Sequence, residues 1–213
     1  MRPRGASTLA AVLAYVQVMP AAAQDSGVSR FEHLVSSPSV HCAFYRDYDI
    51  DPRSGDRPVL MALLDEAGLR LRWVLRTHEH AGHDDQPPGD FGRLLHLGAP
   101  VVHGARREGV CSVADGERLP LGAGFVQVLH TPGHTAHCQS YLWQDRVFCG
   151  DLLTVDACPW QPGPAQPPAL WDSVQRIFTL PDETLLFSGH AQRARAVSTV
   201  LEQRRWHPHC AGQ

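Results

Sequence analysis

Thr77-His-Glu-His-Ala-Gly-His-Asp-Asp85 is the stretch that decides the fold, because the rest of the chain takes its meaning from what this loop does. The residues before it, Leu71-Arg-Trp-Val-Leu-Arg76, largely alternate apolar and polar side chains and include β-branched and aromatic types. They predict a half-buried strand that delivers the loop. Three imidazoles, His78, His80 and His83, then fall within six residues. Two histidines one residue apart on a bend can aim ring nitrogens at one point, and neutral imidazole suits zinc, iron, copper and nickel alike. A histidine-rich surface loop is the bland alternative, and a cluster placed straight after a strand favours the metal.

Upstream, Phe31 to Asp51 carries short apolar stretches that predict one or two strands, stopped at Pro52. Pro58 to Gly68 places Val59, Leu60, Leu63, Leu64 and Ala67 at helical spacing, with proline at the start and glycine at the end. Downstream, Phe91 to Leu97 reads as a second short helix and Pro100 to His103 as a brief strand. The order is an alternation of strands and helices.

The second half repeats this geometry. Phe125-Val-Gln-Val-Leu-His130 alternates as a strand and runs into Thr131-Pro-Gly-His134-Thr135, whose Pro-Gly pair marks a turn with His134 at its tip. Ser140 to Trp143 and Arg146 to Cys149 predict a hairpin about Gln144-Asp145, and its second strand releases Asp151. Leu170 to Leu180 reads as a helix, and Thr184 to Ser188 as a strand opening onto Gly189-His190. A last helix is expected from about Gln192 to Arg205, with Ala194, Val197, Val200 and Leu201 on one face. Four strands therefore end in loops that hold potential ligands: His78/His80/His83, His134, Asp151 and His190. Loops at one edge of a rigid sheet are where convergent sites are built.

The 213 residues, 43% of them hydrophobic, are enough for one domain with a core. A net charge of -3 with scattered basic residues gives no nucleic-acid footprint. All 19 basic residues are arginine, which removes lysine Schiff-base chemistry. Residues 1–24 have the three parts of a secretory signal peptide: Arg2 and Arg4, an apolar run from Thr8 to Met19, and small Ala21 and Ala23 before Gln24. Cleavage would make the protein periplasmic or secreted; without it the protein would be cytoplasmic. The apolar run is too short for a stable membrane anchor, and no other segment spans a membrane. The six cysteines contain no Cys-X-X-Cys pair, and Cys138 and Cys149 read as buried free thiols. The domain is expected over residues 31–205, with a tail at 206–213. His207-Pro-His209-Cys210 in that tail looks like a metal clip but reads as a frayed polar end, and His41-Cys42, His96 and His103 lack convergent partners in the sequence.

These residues resemble the metallo-β-lactamase fold superfamily, whose signature is His-X-His-X-Asp-His followed by a distant His, Asp and His on strand ends. The resemblance covers about residues 31–205 and implies an αββα sandwich, an α/β fold of two mixed β-sheets face to face with helices outside. Thr131-Pro-Gly-His-Thr135, Val147-Phe-Cys-Gly-Asp-Leu-Leu153 and Ser173-Val-Gln-Arg-Ile-Phe-Thr-Leu-Pro181 look like segments of the glyoxalase II and persulfide dioxygenase branch, the last being the more discriminating. The resemblance implies an Fe(II) site made of His78, His134 and Asp151, which leaves three positions for a sulfur ligand and dioxygen. His80, His83 and His190 are then additional candidate ligands or neighbours of the metal, with no catalytic residue beyond the metal centre. The implied reaction oxidises the outer sulfur of a persulfide to sulfite and releases thiol.

The chain departs from that pattern. Gly82 stands where the signature has the aspartate of a second metal, which weakens a two-metal hydrolase, although His83, His190 and Asp151 could still hold a weak second ion. The Arg-Thr-Asp-Phe stretch tied to glutathione handling is replaced by Asp156-Ala-Cys-Pro-Trp-Gln-Pro-Gly-Pro-Ala-Gln-Pro-Pro168, read as a stiff lid or wall. No basic residue lies between Asp151 and Arg176, which leaves the thiol carrier open. A secretory leader would also be unusual for an enzyme of intracellular sulfide metabolism. The leading expectation is a mononuclear iron dioxygenase acting on a persulfide or related small sulfur compound. The alternatives are a zinc hydrolase of thioester or lactam substrates, using His78, His80 and His134, and a degenerate member that binds metal without turnover. A homodimer stays open.

Overall fold

The computed structural model describes residues 72–78, 99–121, 124–153, 167–192 and 195–206, residue 62, and the backbone of four strands within 17–50. The side chains of 17–50, 167, 189–192, 195–196 and 206 are outside that description. Two mixed sheets result. One is ordered β1 (Gln17–Met19), β2 (Glu32–Ser37), β3 (Val40–Tyr45), β4 (Tyr48–Ile50), β5 (Trp73–Leu75), β6 (Val101–Val102), β7 (Val110–Cys111). The other runs β8 (Arg118–Leu121), β9 (Gly124–His130), β10 (Gln139–Trp143), β11 (Arg146–Gly150), β12 (Leu185–Gln192), β13 (Arg195–Thr199) in space as well as in sequence. Two described helices follow the hairpin and the last strand, α1 (Pro167–Phe178) and α2 (Val200–Trp206).

Period-two alternation sorts the side chains onto the faces of these sheets. Leu75 and Val102 from the first sheet meet Leu119, Leu121, Val126, Val128, Tyr141, Trp143 and Phe148 from the second in one buried cluster. Their odd-and-even neighbours, Leu129, Val147, Cys149 and Leu186, face the other way and pack with Val174, Ile177 and Phe178 of α1 and Val200 of α2. Val74, Ala99 and Val101 make a smaller cluster on the outer face of the first sheet. The arrangement is the two-sheet sandwich expected, with the described helices outside.

Several expectations change. Residues 31–51 form three strands rather than one or two, with Leu34↔Tyr45 and Ala43↔Ile50 as antiparallel partners. Gln17–Met19 adds a short strand that pairs with Glu32–Leu34. The expected helix from Gln192 is a strand for its first half, because Arg195–Thr199 turns back and pairs with β12. Sheet pairing overrides the helical spacing of Ala194 and Val197 there. The helix starts only at Val200, where Thr199 Oγ1 accepts the Glu202 N–H at 3.1 Å as an N-cap. The strand expected to stop at Ser188 continues to Gln192. Pro167 and Pro168 lie in the first turn of α1 rather than in an extended wall. The helices expected at 58–68 and 91–97 lie outside the described residues, apart from residue 62.

Asp115, between β7 and β8, ties the sandwich to α1. Its Oδ1 accepts the His130 N–H at 2.8 Å and Arg176 Nη1 at 2.8 Å. Partial burial works to raise the Asp115 carboxyl, but those two hydrogen bonds and the guanidinium charge outweigh it and hold the group below the usual carboxylate range. A lowered folded pKa contributes stability above the unfolded value, about 3.9, and loses it as pH falls through the folded one. Asp115→Asn should therefore melt below wild type near neutral pH, and the gap should close at acid pH. Thermal midpoints followed from pH 7 to 3 check this; a gap that does not change with pH would contradict it.

Candidate metal centre

The strand before the histidine loop is β5, and its inward Leu75 and outward Val74 are both fully buried. The chain leaves the sheet with Arg76, Thr77 and His78, all buried. Two hydrogen bonds from the opposite sheet hold this exit: the Tyr141 hydroxyl donates to Arg76 C=O at 2.8 Å, and the Gln139 N–H donates to Thr77 C=O at 2.8 Å. The two sheets are thereby pinned together at the edge where the loops emerge.

His134 arrives from the second sheet on the loop between β9 and β10. Asp151 follows directly on Gly150, the last residue of β11. His78 Nε2 lies 3.4 Å from Asp151 Oδ2 and His134 Nε2 lies 3.5 Å from the same oxygen. The two rings stand edge to face, their centroids 4.9 Å apart. All three residues are buried, and one donor atom from each falls within 4.8 Å of the others.

The two histidine–carboxylate distances are close to those of donors that share one cation. Donors about 2.0–2.2 Å from an ion, at angles between octahedral and tetrahedral, stand about 3.0–3.4 Å apart. Thr77 Oγ1 is 2.8 Å from His78 Nδ1. In the tautomer that places the proton on Nδ1, the Nε2 lone pair faces the carboxylate, and a cation among the three satisfies both. The donor set, two imidazoles and a carboxylate, is that of non-haem iron sites and is also accepted by zinc.

Gly150 makes this approach feasible. Its φ is +52°, and a Cβ there would lie 2.7 Å from Thr77 Cβ and 3.2 Å from His78 Nδ1. Thr77 and Gly150 are functional neighbours that the sequence reading passed over. The Gly-Asp pair after a strand was the available signal; the contact with Thr77 spans 73 residues and was not.

His103, at the end of β6, is buried and lies beside the centre without joining its donor set. Burial, followed by the positive charge of Arg76 and Arg107 and the histidines His137 and His78, lowers it to about 3, so it stays neutral. The Ala105 N–H donates to its Nδ1 at 3.0 Å, which puts its proton on Nε2. Burial pushes the Cys149 thiol up to about 12 and excludes it as a nucleophile. Cys111, Cys138 and Cys149 are free thiols, the last two buried as expected. His80 and His83 lie outside the described residues, and His190 sits within β12 rather than in a loop after it. Among the described residues no helix is long and apolar enough to cross a membrane.

Residues 90–190 match the metallo-beta-lactamase superfamily. A solved structure of ETHE1 from Myxococcus xanthus is 32% identical, with a TM-score of 0.69 over 93% of this chain and 85% of that one. The chain belongs to the metallo-β-lactamase superfamily. It is also 33% identical over 168 residues to the human mitochondrial persulfide dioxygenase ETHE1, covering 75% of this chain and 64% of that protein. A beta-lactamase hydrolase-like protein of Xylella fastidiosa (strain 9a5c) is 31% identical over 88% of this chain. The chain spans about half, 51%, of that relative's length.

Gly150→Ala should drive a methyl into Thr77 and turn His78 out of place, at an added backbone cost of about 1 kcal/mol for the left-handed conformation. Its metal content after loading should fall well below wild type, together with its thermal midpoint. Metal analysis and calorimetry on the two proteins check this; full metal content in the variant would contradict it.

Proposed function

We propose that the protein is a mononuclear non-haem iron oxygenase acting on a persulfide or a related small sulfur compound. The observation that carries this reading is the buried trio His78, His134 and Asp151, meeting around one point with two imidazoles and one carboxylate. Similarity to the human persulfide dioxygenase ETHE1 and to ETHE1 of Myxococcus xanthus supports it. Gly82, which takes away the signature carboxylate of a second ion, supports a single-ion centre.

Bound Fe(II) would supply adjacent open positions at which a thiolate-type sulfur and dioxygen can meet. The protein's part is to hold that geometry. His78 is oriented through Thr77, His134 through its loop, and Asp151 supplies a negative charge that offsets half of a divalent cation's in a buried setting. Burial of all three donors limits water at the reacting face.

A second reading is a zinc hydrolase, favoured by the match to the hydrolase-like protein along most of this chain. It would use His78, His80 and His134 to hold zinc and lower the pKa of its water to about 7. Anaerobic purification, metal analysis and oxygen uptake on a glutathione or cysteine persulfide separate the two. Stoichiometric iron with persulfide-dependent oxygen consumption is expected, and His80→Ala should retain its iron. Stoichiometric zinc, no oxygen uptake and loss of metal in His80→Ala would replace the first reading with the second.

A further inference from the structure

His134 is presented by a loop that is fixed on two sides. On the inner side the loop closes on itself: the Thr131 N–H donates to Cys138 C=O at 2.9 Å, the Gly133 N–H donates to Thr135 C=O at 3.0 Å, and the Thr135 N–H donates to Cys138 Sγ at 3.1 Å. Thr131 Oγ1 is also 2.9 Å from Ser140 Oγ. On the outer side the loop is gripped by α1. Ser173 Oγ donates to Pro132 C=O at 2.7 Å, and Arg176 Nη1 donates to His130 C=O at 3.1 Å and to Asp115 Oδ1 at 2.8 Å. Asp115 in turn takes the His130 N–H. Both backbone groups of His130 and the carbonyl of Pro132 are thus bound in the four residues that lead into His134.

Three residues of α1 do this at three-residue intervals, along one flank of the helix. Leu170 is the third. Gly133 has φ +139°, and a Cβ on it would stand 2.5 Å from Leu170 N and 2.6 Å from Leu170 Cβ, so the turn lies flat against the helix backbone. The helix also docks through apolar side chains. Val174, Ile177 and Phe178 bury its apolar face on the second sheet, with Ile177 fully buried. Ser173 is itself buried, and its hydroxyl hydrogen goes to the loop rather than to its own helix. Metal ligands need placing to within about 0.5 Å, and outer groups that orient a ligand change metal affinity by about 10–100-fold.

We propose that Ser173 and Arg176, the latter acting with Asp115, are positioning residues for His134, so that α1 sets the geometry of the metal centre from outside it. This rests on the reading of His78, His134 and Asp151 as a metal centre. It concerns the placing of a donor and not the reaction that follows, so it applies to an iron or a zinc protein alike.

The test uses the full chain loaded with Co(II), whose visible spectrum reports coordination geometry and whose affinity is read by competition with a chelator. Ser173→Ala and Arg176→Met should each weaken Co(II) binding by about 10-fold and alter the spectrum. Ser173→Thr, which keeps the hydroxyl, should restore both. Val174→Ala loosens the docking of α1 without touching either carbonyl; it should lower the thermal midpoint but keep wild-type affinity and spectrum. The proposal is overturned if Ser173→Ala and Arg176→Met bind Co(II) as wild type does, or if Val174→Ala loses as much affinity as they do. Wild type that binds no Co(II), or binds it equally well as Asp151→Ala, would overturn the metal centre and the proposal together.

Discussion

A carboxylate buried between two imidazoles is the constraint on which the rest of the structure depends. Asp151 cannot sit at that depth as an anion unless donors or a cation face it, because the cost of removing a charge from water is large. The chain brings the His78 and His134 nitrogens to 3.4 and 3.5 Å from one of its oxygens, a spacing that one shared divalent ion accommodates. The donors come from both sheets: His78 follows β5 of the first, His134 and Asp151 follow β9 and β11 of the second. Neither sheet alone contains a site. The centre exists because the sandwich closes at this edge.

That closure is specific. Packed side chains such as Leu75, Val102, Tyr141 and Phe148 set the distance between the sheets, but apolar contacts alone leave their relative slide only loosely defined. Direction comes from hydrogen bonds. Tyr141 to Arg76 and Gln139 to Thr77 join the two sheets within two residues of His78. Gly150 then allows the end of β11 to lie against Thr77 at a separation that any side chain would prevent. The core, the cross-sheet hydrogen bonds and one left-handed glycine act on the same few atoms, which is how a loop-borne histidine acquires the rigidity a metal ligand requires.

The choice between oxygenase and hydrolase chemistry on this scaffold turns on the number of ions and on their open positions. Two imidazoles and a carboxylate on one ion leave room for two exogenous ligands side by side, which suits oxidation of a bound sulfur. A three-histidine zinc site polarises water instead. Gly82 bears on the number of ions, since it leaves His83, His190 and Asp151 as the remaining candidate donors to a second one. The absence of basic residues from 152 to 175 bears on the substrate: a charged carrier such as glutathione would have to find its cationic partner elsewhere in the chain.

Local pattern alone determined a good part of this protein. The alternation in Phe125–His130 and Arg146–Cys149, the turn at Gln144-Asp145, the apolar stripe of α1 and the placing of His78, His134 and Asp151 at strand exits were legible, because each depends on side chains a few residues apart. Where pairing with a distant partner decided the outcome, the sequence misled. Arg195–Thr199 has a helical spacing but becomes a strand, since the free edge of β12 offers it backbone hydrogen bonds that a short helix would have to make alone. Only the tertiary structure selected Thr77, Gly150, Ser173 and Arg176. Each acts on a residue 40 to 75 positions away, or through a neighbour that such a contact fixes, and a linear sequence carries no record of which distant backbone group a hydroxyl, a guanidinium or a missing Cβ will meet.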